Sequence, residues 1–511
     1  MQRPRHDFTI VIPVADRPRQ LGECLDSLAA LRERFPYAGA VSVLLADDSL
    51  DAAASEQNRA LAEQHSRAGL PVAHLDRAAQ RALVQSLPTR LRQRLADLLG
   101  TAASNRRLGA SVMRNLALLW LARGQMDGRP RLVWFIDSDE RFEVETAGGG
   151  THPLDYLHTL DRLFRERPLT VLTGKVVGDP PVSPAVMART LLDDVLASLE
   201  RLTTRPAAAP CSLHDAPMLS ASGAAYHDMA DLFGYPPTKP APYHCPLTGA
   251  HTHADSLADY VARLDRFFDG EHPSRRSLYE PAPLTLTPAR TVYTGNYVVS
   301  DAGLDWPIPF ASLGLRMAGP AFGRLLKAAL GEAFVTASLP LQHGRVPESL
   351  GRSECRPGVA HSAQGVDISG EFERQYFGDV LLFSLEALIE QGYPRLTPAA
   401  EAIKETVVAV EARLNARYVQ QQAAVAGRIG RLDALLADLP PTWQANAAAA
   451  VARDALGRFA RALRHNFGPA GAGWRRVNAA GRRQAWVDRL TAALTRYPDA
   501  HAAWTEALAG R

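Results

Sequence analysis

At 511 residues the chain is too long for one ordinary hydrophobic core, so two or three structural units are expected. A formal net charge of +3 is close to neutral for this length and excludes whole-molecule attraction to nucleic acid. Four cysteines, Cys24, Cys211, Cys245 and Cys355, stand far apart without Cys-x-x-Cys spacing, which argues against a zinc ribbon or a disulfide framework and fits a reducing compartment.

The first apolar run, FTIVIPV (8–14), follows basic residues, but at about seven residues, broken by Pro13, it is too short for the core of a signal peptide. It reads as a strand. Asp16 and Pro18 then signal the start of a helix on which Leu21, Leu25, Leu28 and Leu31 recur at helical spacing. VSVLLA (41–46) and LVWFI (132–136) repeat the design of the first run: short, β-branched or aromatic, and apolar throughout, as strands buried on both faces are. Between them lie a short strand, PVAHL (71–75), an Arg- and Leu-rich helical insertion at about 76–108, and a helix, ASVMRNLALLWLARG, that stops at Gly124. The alternation predicts an α/β fold with a mostly parallel sheet covered by helices. No window approaches the roughly eighteen apolar residues of a membrane span, so a soluble, cytoplasmic protein is expected.

From about 178 to 290 the character changes. PPVSP, PPTKPAPYHCP and EHPSRRSLYEPAP mark loops between the helical patterns LLDDVLASLERL and LADYVARLDRFF. His251 and His253, in GAHTHAD, have no partner cluster at a recognisable spacing and read as surface histidines. Regularity returns with TVYTGNYVVS (291–300), which reads equally as a strand leading into an acceptor loop through Gly295 and Asn296 or as a turn before a core strand. Beyond about 370 the chain reads as helices. From residue 440 it carries eleven arginines against four acids on amphipathic patterns. The favoured reading is a helical bundle packed on the body of the protein or on a second subunit in a homo-oligomer, with solvated arginines outside, and its rival is a peripheral contact with an anionic membrane face.

In an open parallel sheet, ligands bind beyond the carboxyl ends of the strands. Those ends here carry Asp16, Asp47-Asp48 and Asp137-Ser138-Asp139. Residues two apart on an extended chain point to one side, so Asp137 and Asp139 can share a ligand. Their hard oxygen donors suit Mg²⁺ or Mn²⁺, which would neutralise a departing diphosphate.

Four segments in this order resemble the GT-A fold of nucleotide-sugar glycosyltransferases, particularly the family 2 type. FTIVIPVADRPRQLGECLDSL is similar to the opening strand and helix, VLLADDSLD to the nucleotide-binding turn, SVMRNLAL to the following helix, and LVWFIDSDERF to the strand with the metal-binding DxD. LPLQHGR resembles the downstream histidine segment, so the resemblance covers residues 7–345 apart from the two insertions. It implies a Rossmann-like GT-A catalytic domain that moves a hexosyl group from a nucleoside diphosphate to a hydroxyl acceptor. Residues 1–177 would be its nucleotide-sugar-binding half and 291–369 its acceptor-side half, with 178–290 an irregular inserted segment and 370–511 a helical region. On the same resemblance Pro13 and Val14 line the base pocket, Asp47 or Asp48 takes the nucleoside, and Arg114 and Asn115 flank the nucleotide. Asp137 then faces the ribose or the metal, and Asp139 and His343 bind the metal from opposite sides. Imidazole with carboxylate suits Mn²⁺ somewhat better than Mg²⁺.

The resemblance fails at one place. Where inverting members carry an acidic catalytic motif, this chain has Ala318-Gly319-Pro320. The base would then come from elsewhere, with Asp301, Asp305, Glu371 and Asp379 as candidates, or the reaction would retain configuration without a dedicated base, or the domain would bind without catalysing. A nucleotide-sugar-binding or scaffold protein is therefore one alternative. A nucleotidyltransferase is another, opposed by the lack of a glycine-rich phosphate loop after the first strand.

Overall fold

A computed structural model describes residues 5–101, 106–124, 129–146, 149–214, 220–222, 232–234, 239–264, 266–345, 357–362 and 365–509. Cys355 lies outside them. The architecture is α/β, with a mostly parallel central sheet and many helices. In chain order the sheet strands are β1 (Asp7–Val14), β2 (Val41–Asp47), β3 (Val72–Leu75), β4 (Arg131–Ile136), β5 (Glu140–Arg141), β6 (Val171–Gly178), β7 (Leu286–Pro288), β8 (Asn296–Ser300) and β9 (Phe334–His343). They stand in the order β7-β9-β6-β8-β4-β1-β2-β3, with β5 attached to β9. β1 pairs in parallel with β2 and β4, β2 with β3, and β6 with β9, whereas β8 runs antiparallel between β4 and β6.

The continuously apolar strands bury both faces because each face meets its own core. Val11, Leu44, Val133 and Phe135 point to one side. Ile10, Ile12, Val43, Leu45, Leu132, Trp134 and Ile136 point to the other, as alternation along a strand requires. Helix α1 (Pro18–Arg34), started by its first-turn proline, lays Leu21, Leu25, Leu28 and Leu31 on the second face. Helix α2 (Ala52–Arg67) is capped by Asp51, which accepts from the Ala53 N–H. Helix α3 (Ala110–Arg123) is buried on nearly every side and packs on the first face. Pairing of Val14 with Asp47 and of Val11 with Phe135 keeps the three parallel strands level, so their polar endings share one edge.

A third core joins parts of the chain that are distant in sequence. It unites helices α4 (Pro184–Thr203) and α5 (His253–Leu264) of the inserted segment with α6 (Ser369–Glu390), α7 (Ala400–Ala437), α8 (Ala447–Phe467) and the first half of α9 (Arg482–Ala509). The proline-rich loops of the insertion are organised by buried ionic contacts. Arg275 grips the Asp194 carboxylate through Nε at 2.7 Å and Nη2 at 2.8 Å, and the Ala241 N–H donates to the same group.

The reading of the inserted segment is corrected here, and the basic tail is decided between its alternatives. Cys211 and Cys245 are brought together in space, because Pro210 and Thr252 form an antiparallel bridge and the Cys245 N–H donates to the Leu213 carbonyl. His251 belongs to that group, and His253 is buried with Nδ1 on the Pro206 carbonyl and Nε2 against Ser212, so neither is an ordinary surface histidine. The basic tail turns its apolar faces inward, with Trp486, Leu490, Leu494 and Trp504 buried, and engages several of its arginines with acids of the body. Peripheral membrane contact through this tail is therefore not supported. No described helix is long and apolar enough to cross a membrane.

Candidate active site

A cavity of about 380 Å³ opens at the carboxyl edge of β1, β2 and β4. Its walls come from the β1 ending (Pro13 to Ala15 and Arg17), Asp48 after β2, the start of α3, and Asp137-Ser138-Asp139 after β4. His343 closes it from β9. The reason is local pairing: β5 runs antiparallel to the end of β9 and sets Glu140 opposite His343, and the Gly344 N–H donates to the Asp139 carbonyl at 3.1 Å. A histidine two hundred residues downstream thereby meets the DxD turn.

His343 donates Nδ1–H to the Asp179 carbonyl at 2.7 Å, which fixes the ring with Nε2 facing Asp139 Oδ2 at 3.8 Å. Two donors each about 2.1 Å from one ion stand at most about 4.2 Å apart, so this pair fits a shared divalent cation. Arg17 Nη1 lies 3.2 Å from the same Asp139 oxygen, where it balances the carboxylate charge. Burial opposes ionisation of Asp139, but the positive charge of His343 when protonated and of the Arg17 and Arg345 guanidiniums outweighs it and holds the carboxyl below its usual range. Asp137 is the more exposed of the pair and is paired with the buried Arg114. Two carboxylates and one imidazole nitrogen are donors that Mn²⁺ or Mg²⁺ accepts.

The cavity is otherwise cationic. Arg17, Arg107, Arg114, Arg316, Arg345 and Arg374 line it, against the carboxylates Asp48, Asp137, Asp139 and Glu371. Helix α3 adds its amino end, where Gly109, Ala110 and Ser111 line the cavity; Gly109 provides no side-chain cap, and its own N–H donates to Asp48 at 2.8 Å. Backbone N–H groups and the helix dipole there favour an anion. Of this group, sequence reasoning singled out only Arg114. Arg17 and Arg345 stand inside the segments FTIVIPVADRPRQLGECLDSL and LPLQHGR without being singled out, Arg107, Arg316 and Arg374 sit in loops and on α6 with no motif around them, and only the tertiary fold gathers them.

The remaining sequence candidates divide clearly. Pro13, Val14, Asp48, Arg114, Asp137, Asp139 and His343 line the cavity. Asp47 does not: it turns beneath the β2 ending and accepts from the Ser49 N–H at 2.8 Å, Ser55 Oγ at 2.9 Å and Asn58 Nδ2 at 3.1 Å, with His74 Nε2 at 2.9 Å. Asn115 is fully buried and bridges the Leu98 and Ile308 backbones. Asn296 is spent on Trp134 Nε1 and on the Lys175 and Leu339 carbonyls. Gly295 makes room for Glu140 rather than for an acceptor, since a Cβ there would stand 2.6 Å from Glu140 Oε1. Residues 291–295 form a loop, not a strand, and Tyr293 and Thr294 are its contribution to the cavity.

Among the four candidate bases, Asp301 and Asp305 lie at the wrong edge. β8 is antiparallel to β4, with Ser300 opposite Leu132, which carries the residues after β8 to the amino end of the sheet. Asp379 is buried in the helical core and accepts from the Leu232 N–H, Gln375 Nε2 and Tyr418 Oη. Only Glu371, in the first turn of α6, lines the cavity, where it pairs with Arg316. It stands beside the loop that leads into Ala318-Gly319-Pro320. Glu140 was passed over in the sequence because it follows the DxD directly. It is buried beneath the turn, accepts from Tyr293 Oη at 2.5 Å, and is pushed well above the usual carboxyl range by burial and by the charges of Asp137 and Asp139.

No protein-family model matches the chain, and no curated protein is similar to it. Among solved structures, mannosyl-3-phosphoglycerate synthase from Rubrobacter xylanophilus is similar at 18% identity with a TM-score of 0.22, over 37% of this chain and 47% of that one. Core-mannan synthase A from Aspergillus fumigatus, in its Mn/GDP form, is similar at 11% identity with a TM-score of 0.20, over 63% of this chain and 65% of that one. The chain thus spans about half of the first and just under two thirds of the second.

Proposed function

We propose that the protein is a glycosyltransferase of the GT-A type that takes a nucleoside diphosphate sugar and a divalent cation at this cavity and transfers the sugar to a hydroxyl acceptor. The observation that carries the reading is the meeting of Asp137, Asp139 and Nε2 of His343 in one cavity whose other walls are arginines and a helix amino end. Asp137, Asp139 and His343 would hold Mn²⁺ or Mg²⁺, which when bound neutralises the diphosphate as it leaves. Arg114 and the α3 backbone bind and orient the phosphates, and Asp48 with Pro13 and Val14 borders the nucleoside end. Glu371, entering from α6, takes the proton of the acceptor hydroxyl in place of the acid missing at 318–320. Its presence in the cavity weighs against a binding-only scaffold.

A second reading rests on Arg17, whose guanidinium already stands on Asp139 and would supply fixed positive charge without a metal. Calorimetric titration with nucleoside diphosphates, with and without Mn²⁺, separates the two. Metal-dependent affinity is expected, reduced at least about tenfold in Asp139→Asn, as loss of even an outer ligand partner costs about 10- to 100-fold. Equal affinity with and without metal favours Arg17, and no nucleotide binding at all ends both readings.

A further inference from the structure

We propose that Cys211, His214, Cys245 and His251 form a four-ligand zinc site that staples the inserted segment. One ligand atom from each lies within 4.8 Å of every other. In a tetrahedral site with Zn–S about 2.3 Å and Zn–N about 2.0 Å, ligand atoms stand roughly 3.3–3.8 Å apart, a closure that small side-chain rotations complete. Cys245 Sγ and His251 Nε2 are already 3.3 Å apart.

The surroundings are those of a built site. His251 donates Nδ1–H to the Gly249 carbonyl at 2.8 Å, and His214 donates Nδ1–H to the Cys245 carbonyl at 3.1 Å, so both rings present an unprotonated Nε2. A partner that fixes the tautomer in this way is the usual companion of a metal-bound histidine. Leu213 N–H points to Cys211 Sγ at 3.4 Å, two residues on in a tight turn, and the Leu247 N–H stands in the same relation to Cys245. Ser256 Oγ, from the first turns of α5, lies 3.0 Å and 3.3 Å from the two sulfurs. Two thiolates and two neutral imidazoles cancel the charge of Zn²⁺, so the site can sit half-buried against Tyr243 and Leu213 without an uncompensated ion. All four positions come from protein, which makes the site structural, and none of the four residues lines the donor cavity.

The ligands come in two pairs, Cys-x₂-His at 211–214 and Cys-x₅-His at 245–251, which escape a search for paired Cys-x-x-Cys motifs. Zinc would tie these two loops together in a stretch that has little sheet of its own.

The full chain, purified without chelator, is expected to carry one zinc per chain by plasma mass spectrometry. That zinc should persist in an Asp139→Asn, His343→Ala double variant, which separates it from any ion at the donor cavity, and be lost in Cys245→Ser together with several degrees of Tm. Should Cys245→Ser fail to fold, the wild-type protein still decides. Cobalt exchange should give the intense visible bands of a tetrahedral thiolate-imidazole site, and alkylation mapping should find Cys211 and Cys245 protected until a strong chelator is added. Zinc-free folded protein with both thiols freely alkylated, or a Cys211–Cys245 disulfide in peptide mapping, overturns the proposal.

Discussion

Asp47 and Asp48 are neighbours with opposite assignments. Asp48 faces the cavity, takes the Gly109 N–H at 2.8 Å and Arg77 Nη1 at 2.8 Å, and burial raises its carboxyl. For Asp47 burial also works upward, but the bonds from His74, Ser49 and Asn58 outweigh it and bring the carboxyl from 3.8 to about 2. A fall of that size corresponds to about 2 kcal/mol of native-state preference for the ionised form. The sign follows from the depressed value: the contribution is present above the unfolded aspartate range near 3.9 and is lost as pH falls through about 2. Asp47→Asn should therefore lose about 2 kcal/mol in urea unfolding at neutral pH, with the gap to wild type closing between pH 4 and 2. Nucleotide affinity should stay near wild type in that variant and fall in Asp48→Asn. Glu371 gives the complementary test. Glu371→Gln should leave donor binding intact and lower turnover, read as nucleoside diphosphate release, by on the order of 10²- to 10⁴-fold, the usual contribution of a general base. Unchanged turnover would return the reaction to a mechanism without a protein base.

The helix Ala318–Leu330 stands where the acidic motif was expected. A Cβ on Gly319 would meet the Val292 carbonyl oxygen at 2.2 Å, and one on Gly323 would meet the Arg290 carbonyl at 2.5 Å, so this helix lies hard against the loop that carries Tyr293 and Thr294 into the cavity. The segment is a packing surface, and in the proposed mechanism the acid enters instead from α6, which the loop before it touches directly: Arg316 N–H donates to the Arg374 carbonyl at 3.2 Å. Gly319→Ala should accordingly cost about 1–3 kcal/mol, as overpacking does, measurable by thermal unfolding. A neutral result would mean that the helix can shift freely. The same contrast shows what a sequence can reveal here. Strands β1, β2 and β4 were legible because burial on both faces demands unbroken apolar runs, and their acidic endings were legible because the chain must leave such strands at a polar edge. Glu371 could be named but not separated from Asp301, Asp305 and Asp379, and the cavity arginines other than Arg114 and the Cys211 to His251 group were not legible, because their meaning comes from elements far apart in sequence that only tertiary packing brings together. Asn115 and Asn296 were misleading for the opposite reason: polar residues beside a site look like ligands, yet both are consumed by buried backbone groups.

At the scale of the whole molecule, α9 decides whether the helical region is an appendage or part of the same body as the central sheet. Its first half, Trp486, Val487, Leu490, Leu494 and Tyr497, belongs to the helical core. Its second half, Ala500, Ala503, Trp504, Ala507 and Leu508, belongs to the core on one face of the sheet, and the change falls at Pro498 within the helix. Ion pairs reinforce the attachment: Arg94 of the helical insertion meets Asp499 at 2.7 Å and Glu506 at 2.8 Å, and Arg496 meets Asp97 at 2.8 Å. Being largely exposed, these pairs contribute little each, and the apolar contacts carry the attachment. Trp504 is the centre of it, fully buried, with Nε1–H donated to the Leu304 carbonyl at 2.9 Å. A helix shared between two cores couples their unfolding, so calorimetry of the wild-type protein should give one transition. Trp504→Ala removes a large buried ring and leaves the Leu304 carbonyl unpaired, a loss of about 3–5 kcal/mol. If the coupling holds, the single transition moves down as a unit and donor binding weakens with it at elevated temperature. If the helical region folds independently, the variant instead splits the transition in two, with one part at the wild-type temperature.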